Sequence, residues 1–292
     1  TQSGQTIGTY VSNEEGPIEI GSALEAGHSY VLKEVEAPKG YYCGGEQKFS
    51  VSMRPENTIV VQIKDQPIHC EVQKMDFQEE PLKGAHLCLL EEEKKIVEWI
   101  SDGTPYDLSM YLQDGHTYSI QETQAPLGYY KIPDRLFTVS SQKDPDLAHL
   151  NLMDEAIHYE ILKTDEGGNP VEGVQLSLFD VTEEERTLIR QWITTEHAET
   201  FGAELTAGHT YRLDETEGVA GYQTASSLTF QVSATGSHKT VIVPLVDETN
   251  AISFLKTDEE GKPLADAEME IFDQAGNAVA SFVSNEDKKG VS

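Results

Sequence analysis

The stretch that decides the fold is AGHSYVLKEVEAPKGYY, residues 26–42, because two close copies of it follow later in the chain. The copies read DGHTYSIQETQAPLGYY at 114–130 and AGHTYRLDETEGVAGYQ at 207–223. In each copy, apolar and polar residues alternate after the Gly-His step, and this alternation is typical of a β-strand with one buried face. The copies return with a period of about 90 residues, which predicts tandem domains.

Two further patterns keep the same period and set the limits of each repeat. A lysine follows an apolar run in EVQKMD, EILKTD and SFLKTD, and an aspartate closes VVQIKD, LNLMD and PLVD. Alternation without helical periodicity, interrupted by Gly, Pro and Asp turns, predicts an all-β chain of sandwich repeats. We expect a partial repeat at 1–67 that lacks its first strand, complete repeats at 68–156 and 157–249, and the N-terminal strands of another at 250–292.

The composition excludes several classes of function. The chain has 292 residues, with 21 Lys and Arg against 51 Asp and Glu, and its net charge of −30 argues against binding nucleic acid or anionic lipid. No apolar run reaches the roughly 18 residues of a membrane span, so no membrane insertion is expected in this chain. Three scattered cysteines predict neither a disulfide framework nor a zinc site, and we expect no metal or other cofactor. Because the repeats at both ends are incomplete and no Met begins the chain, we expect a piece of a longer protein.

A charged residue recurs on the inward face of three predicted strands. Residues two apart on a strand share a face, so Lys74 lies on the same face as Val72, and Asp154 on the same face as Leu152. Glutamate occupies the matching position in the strand after the Gly-His step. The full set is Lys74, Glu122 and Asp154, then Lys163, Glu215 and Asp247, and in the partial repeats Glu34 and Asp65, and Lys256.

Two interpretations of these inward charges remain open at this point. A buried charge without partners is very costly, so the lysine and both acids of one repeat are predicted to meet in its core. In the first interpretation they form a buried salt-bridge triad. In the second, the apolar surroundings favour a neutral lysine amine, which attacks the aspartate carboxyl with help from the glutamate and forms an amide bond.

The repeat motifs resemble those of a known family. The string Y-x-L-x-E-x-x-A-P-x-G-Y, the lysine strand with its D-x-x-G-x-P turn, and the closing V-x-V-x-D are similar to the Cna B-type repeat of Gram-positive surface proteins. That family, which includes collagen adhesins and SpaA-type pilins, implies a prealbumin-like or transthyretin-like β-sandwich with an Ig-like arrangement. The third copy departs from the motif, because ETEGVAGY stands at 215–222 where ETxAPxGY is expected.

The resemblance also implies an autocatalytic isopeptide bond within each complete repeat. By position in the motif, Lys74 would be joined to Asp154 with Glu122 as the catalyst, and Lys163 to Asp247 with Glu215. Glu34 and Asp65 would be the remaining members of the first repeat's set, and Lys256 the remaining member of the fourth's. The family often has Asn at the closing position, whereas all three closing residues in this chain are Asp.

The function expected from the resemblance is structural. The chain would be a monomeric stalk segment of an extracellular, cell-wall anchored adhesin or pilin, whose distal domain binds host extracellular matrix or glycan. The alternative is an adhesive module in which these repeats bind host matrix protein or glycan directly. We do not expect a turnover enzyme, because the chemistry on offer consumes the protein's own side chains and no motif of a known catalytic site occurs in the sequence.

Overall fold

The computed structural model describes residues 4–54, 58–140, 145–236 and 239–284. The chain is nearly all-β, as the sequence predicts, and its contacts divide it into two compact units. The first unit comprises Thr1–His158, Phe201–His209 and Gln231–Thr240, and the second comprises Tyr159–Thr200, Thr210–Phe230 and Val241–Ser292. Within the described ranges, no helix has the length and hydropathy needed to span a bilayer.

The strands follow the alternation in the sequence. Up to His158 they are β1 (Ser29–Lys33), β2 (Tyr41–Tyr42), β3 (Glu46–Ser50), β4 (Gln66–Pro67), β5 (Glu71–Asp76), β6 (Lys83–Glu91), β7 (Lys94–Asp102), β8 (Tyr106–Asp107), β9 (Thr117–Gln124), β10 (Arg135–Thr138) and β11 (His149–Asp154). Short 3₁₀ turns lie at Gly21–Ala23, Ser109–Tyr111 and Pro145–Ala148. The later strands are β12 (Tyr159–Asp165), β13 (Gln175–Asp180), β14 (Thr187–Ile193), β15 (Glu199–Phe201), β16 (Thr210–Glu217), β17 (Leu228–Gln231), β18 (Val241–Asp247), β19 (Glu268–Phe272) and β20 (Ala278–Val283).

The second repeat is a two-sheet sandwich. One sheet has the order β10-β9-β6-β7 with antiparallel pairs, and the other has the order β11-β5-β8. Both sheets contribute to one buried core, in which Val72 of β5 and Leu152 of β11 join Leu89 of β6 and Ile120 of β9. The inward residues of β5 are buried and their neighbours are more exposed, as the period of two requires.

The first and last strands of each complete repeat are neighbours. In the second repeat β11 runs parallel to β5, and in the third repeat β18 runs parallel to β12. The register places Leu152 opposite Lys74 and Leu245 opposite Lys163. A parallel pair needs a long crossover connection, and here the whole body of the repeat serves as that connection.

The partial repeats differ from the sequence-based prediction. The predicted closing strand of the first repeat, around Ile59 and Asp65, has no strand structure, and Ile59 is half exposed. In the described part of the last segment Ile252, Phe254 and Lys256 are exposed rather than inward, and the pairing consists of the β19–β20 hairpin and an isolated bridge between Thr257 and Pro263. At these positions no parallel partner strand is present among the described residues, and an opening strand and a closing strand stabilise each other as a pair. Residues 285–292 of the predicted fourth repeat lie outside the described residues.

Candidate functional site

The second repeat contains a buried cluster of one lysine and two acids. Lys74 on β5 donates a hydrogen bond from Nζ to Asp154 Oδ1 on β11, and Glu122 Oε1 on β9 lies 3.3 Å from the same Nζ. The three side chains are between 0% and 1% exposed. The structure therefore brings together the three residues that the sequence analysis selected, away from solvent.

The local fold explains why these side chains meet. The parallel register sets Lys74 beside Leu152, and Asp154 follows two residues later on the same face of β11. Glu122 comes from β9 in the opposite sheet and points into the same core. The two strands of one sheet thus supply the lysine and the aspartate, and the facing sheet supplies the glutamate.

The third repeat builds the same cluster within the second compact unit. Lys163 on β12 donates a hydrogen bond to Asp247 Oδ1 on β18, and Glu215 Oε2 on β16 lies 3.3 Å from Lys163 Nζ. The exposed fractions of these side chains are again between 0% and 1%. Two repeats with different core residues therefore converge on one arrangement.

A backbone donor that the sequence analysis missed holds each glutamate. The Ile132 N–H donates to Glu122 Oε2 at 2.9 Å, and the Ala225 N–H donates to Glu215 Oε2 at 3.0 Å. Each donor lies ten residues after its glutamate. The donor residues share no side-chain type, so the constant spacing was the only signal in the sequence.

Burial governs the ionisation of the acids. In the second repeat, burial raises the pKa of Asp154 to about 7, against the opposing effect of the positive charge of Lys74, and the nearby Glu122 carboxylate raises it further. In the third repeat, burial raises the pKa of Glu215, and the Ala225 N–H and Lys163 oppose this rise. A carboxyl group of each cluster is therefore biased towards its neutral, protonated form.

Each cluster also contains carboxyl oxygens without a hydrogen-bond partner. The buried atoms are Oε1 of Glu122 and Oδ2 of Asp154 in the second repeat, with Oε1 of Glu215 and Oδ2 of Asp247 in the third. An unpartnered buried oxygen is costly, and a proton shared between the two acids lowers that cost. The arrangement can hold one proton between the carboxyl groups while the lysine nitrogen contacts the aspartate.

The segments predicted to be partial repeats, 1–67 and 250–292, contain the remaining charged residues of the predicted sets. Burial raises the pKa of Glu34, and a hydrogen bond with Asp65 together with the charge of Asp65 raises it further, although the Gly44 N–H opposes the rise. The Gly44 N–H donates to Glu34 Oε2 at 2.5 Å, again ten residues after the glutamate. Lys256 is exposed, and no acidic side chain in residues 239–284 forms an ion pair with it.

The fold and the repeated cluster together point to one family. The SpaA family, described as a prealbumin-like fold domain, matches residues 1–67, 69–155 and 157–244. These matches cover most of the chain, so the chain belongs to the SpaA prealbumin-like fold family. The resemblance inferred from the repeat motifs is confirmed by this match, and the separate fourth repeat at 250–292 stays a prediction.

Several solved structures resemble parts of this chain. The Bacillus anthracis TIE protein is 23% identical over 74% of this chain and 41% of its own length, with a TM-score of 0.34. The pilus adhesin SpaC from Lactobacillus rhamnosus GG is 17% identical over 65% of this chain and 32% of its own, with a TM-score of 0.36. The shaft pilin SpaA from the same organism is 12% identical over 63% and 97%, with a TM-score of 0.29.

The partial coverage and the low TM-scores limit what can be inferred from these similar structures. This chain spans less than half the length of the TIE protein and of the adhesin SpaC. All three TM-scores lie below 0.5, so the family assignment rests on the family match alone. None of the curated proteins matches this chain.

Proposed function

We propose that each complete repeat forms an intramolecular isopeptide bond, between Lys74 and Asp154 and between Lys163 and Asp247. The observation that carries the proposal is the direct contact of each buried lysine nitrogen with the aspartate carboxyl, with a glutamate 3.3 Å from the same nitrogen. Fixed contact of this kind supplies the large effective concentration that amide formation needs. A salt bridge alone explains the contact but gives no role to two acids per lysine.

The reaction begins with a proton transfer inside the cluster. When the buried ion pair of Lys74 and Asp154 exchanges a proton, it becomes a neutral amine and a carboxylic acid, and low polarity favours this uncharged pair. The nitrogen lone pair attacks Cγ of Asp154, a C–N bond forms, and one C–O bond breaks. One hydrogen leaves the nitrogen, the hydroxyl leaves the carbon, and together they form a single water molecule.

Glu122 is proposed to relay protons during this reaction. Its carboxyl lies beside both reacting groups, so it can take the proton from the attacking nitrogen and return it to the departing hydroxyl. The Ile132 N–H orients the glutamate through its other oxygen. The reaction proceeds once per repeat and leaves no free site, so the chain is not a turnover enzyme.

The bond would stabilise each repeat against unfolding and against tension. Lys74 and Asp154 are 80 residues apart in sequence and lie on the first and last strands of the repeat. Closing a loop of that length restricts the unfolded chain and contributes about 4.5 kcal/mol in the chain-entropy model. A pulling force acts on the repeat at β5 and at β11. Because the cross-link joins these two strands directly, the residues between them would not bear the force.

We further propose that the chain is a stalk segment of an extracellular, cell-wall anchored adhesin or pilin of a Gram-positive bacterium. The family match supports this role. The three cysteines are free thiols, so disulfides do not stabilise the described repeats, and an isopeptide bond would replace them outside the cell. A distal domain, outside these residues, would bind the host matrix protein or glycan.

Intact mass measurement of the 292-residue chain tests the cross-links. We expect the wild type to be lighter than its sequence by two water molecules, Glu122→Ala by one, and Glu122→Ala combined with Glu215→Ala by none. Glu98→Gln serves as the control, because Glu98 is exposed on β7, where it forms an ion pair with Lys95 and lies outside both clusters. A folded wild type with its full, unreduced mass would leave only the salt-bridge interpretation.

A further inference from the structure

The loop that carries the Glu122 donor is held by chain segments that follow the second repeat. We call residues 125–132 the donor loop. Its Gly128 N–H donates to the Leu205 carbonyl at 2.9 Å, and its Lys131 N–H donates to the Ala234 carbonyl at 3.3 Å. Leu205 and Ala234 belong to the same compact unit as the loop. The next N–H, that of Ile132, is the one that binds Glu122.

The first repeat holds its own donor in the same way. The Gly40 N–H donates to the Leu112 carbonyl at 2.8 Å, and the Cys43 N–H donates to Asp114 Oδ2 at 3.1 Å. The next N–H, that of Gly44, binds Glu34. The spacing of the three N–H groups is the same as in the second repeat. The second of these N–H groups donates to the Ala234 carbonyl in the second repeat and to the Asp114 carboxylate in the first. The spacing of the donors is therefore the same although this acceptor differs.

In the part of the chain that the structure describes, no such contact is present at the third repeat, and the difference is visible at one glycine. Gly128 is buried, and a Cβ added there would lie 2.9 Å from Ala203 Cα. Gly221, at the matching position of the third repeat, is exposed, and a Cβ there would meet nothing within 4 Å. Among the described residues, no later segment accepts a hydrogen bond from the Gly221 or Thr224 N–H.

The position of Glu122 depends strongly on this loop. Oε2 of Glu122 accepts the hydrogen bond of the Ile132 N–H at 2.9 Å, while Oε1 lies 3.3 Å from Lys74 Nζ, so the backbone donor holds the carboxyl group on the side away from the lysine. A shift of the loop moves that donor and with it the carboxyl that faces Lys74. Misplacement of a catalytic group by about 1 Å lowers a rate on the order of 100-fold.

We propose that docking of the segments around Leu205 and Ala234 onto the donor loop positions Glu122, so that the Lys74–Asp154 bond forms at its full rate only after docking. Gly128, Lys131 and Ile132 are positioning residues in this scheme, and Glu122 remains the catalytic residue. Cross-linking in the second repeat is thereby coupled to folding of the chain that follows it. The described residues show no such contact at the third repeat, which therefore serves as the internal comparison within the 292-residue chain. The inference rests on the proposed isopeptide bond.

The test compares glycine-to-alanine variants of the full 292-residue chain. Gly128→Ala introduces the clash with Ala203, whereas Gly84→Ala places the same positive-φ strain in the second repeat with nothing within 4 Å. Gly221→Ala does the same at the matching position of the third repeat. Each chain is made by cell-free synthesis and stopped with denaturant at successive times. Mass spectrometry of the digest then measures the two cross-linked peptides separately.

We expect Gly128→Ala to slow formation of the Lys74–Asp154 peptide by about 10- to 100-fold. The Lys163–Asp247 peptide of the same molecules should form at the wild-type rate, as should both peptides in Gly84→Ala and Gly221→Ala. A wild-type rate in Gly128→Ala would overturn the inference, as would equal slowing in Gly84→Ala, because strain alone would then be the cause. Absence of both peptides from the wild type would instead overturn the proposed function.

Discussion

The lysine of each cluster is the residue on which the site depends. A protonated Lys74 and one ionised acid together carry no net charge. Glu122 adds a second acid, which either shares a proton with Asp154 or leaves a costly net negative charge in the core. Burial raises the pKa of Asp154 to about 7, so this proton is bound over the range in which an ordinary aspartate has lost it. The cluster is therefore a titrating site before cross-linking, and an amide has no such titration.

This difference predicts a change in pH dependence. Asp154 has an ordinary pKa of 3.8 and a raised one in the fold, so its contribution to the free energy of unfolding is full below pH 4 and is lost as the pH rises through about 7. Glu122→Gln blocks the cross-link and removes the contribution of the Glu122 carboxylate to this pKa, but burial, which is the largest cause of the rise, remains. We therefore expect the variant to lose stability relative to the wild type between pH 5 and pH 8. Urea denaturation of both proteins at the two pH values measures this.

The comparison with the wild type removes other titrations. Asp102 and Asp107 have pKa values lowered by hydrogen bonds to Thr104 and Ser109, and their contribution is lost as the pH falls, which is the opposite direction. Both proteins share these groups, so they cancel in the difference. If the free energies of unfolding of the two proteins changed in parallel with pH, Asp154 would not titrate as an uncross-linked residue in the variant.

At the level of elements, the parallel pair of β5 and β11 brings the reacting residues together. The two strands are separated by most of the repeat in sequence, so the pair forms only when the sandwich between them has folded. Leu152 lies opposite Lys74 in this pair and is 3% exposed. Its packing fixes β11 next to β5 and thereby holds Asp154 within reach of the lysine.

A core substitution in β11 should therefore weaken the repeat far more than a surface one. We expect Leu152→Ala to lower the free energy of unfolding by about 2–5 kcal/mol, because it leaves a cavity between the sheets. Leu136→Ala on β10 is the matched control, since Leu136 is 69% exposed, and should change it by less than about 0.5 kcal/mol. Thermal or urea denaturation followed by circular dichroism compares the two, and equal losses would argue against this account of the core.

At the level of the whole molecule, the two clusters predict how the chain responds to tension. When the chain is pulled by its termini, the residues between Lys74 and Asp154 and between Lys163 and Asp247 should stay folded behind the cross-links. Glu122→Ala combined with Glu215→Ala should release each repeat, with a gain on the order of 250 Å for each stretch of about 80 residues. Single-molecule force spectroscopy measures the gain. Gains of the same length in the wild type would show that no cross-link bears the force.

The sequence predicted most of the fold in the complete repeats and less in the partial ones. Val72 and Lys74 lie on the same face of their strand whatever the tertiary structure, because the period of two is a property of an extended backbone. The same alternation is present around Ile252 and Ile59, yet these residues are exposed and no strand forms there. A strand needs a neighbouring strand as well as an alternating sequence. In a complete repeat the opening strand pairs with the closing strand, which lies far away in sequence.

The sequence by itself determined the repeat, the all-β class and the presence of one lysine and two acids on inward faces. These are local or periodic properties, which a single strand expresses without its neighbours. Only the tertiary structure decided that Lys74 touches Asp154 and that a backbone N–H ten residues after Glu122 orients it. Both facts depend on how distant strands and loops pack, and on backbone groups that are the same in every residue, so no side-chain pattern encodes them.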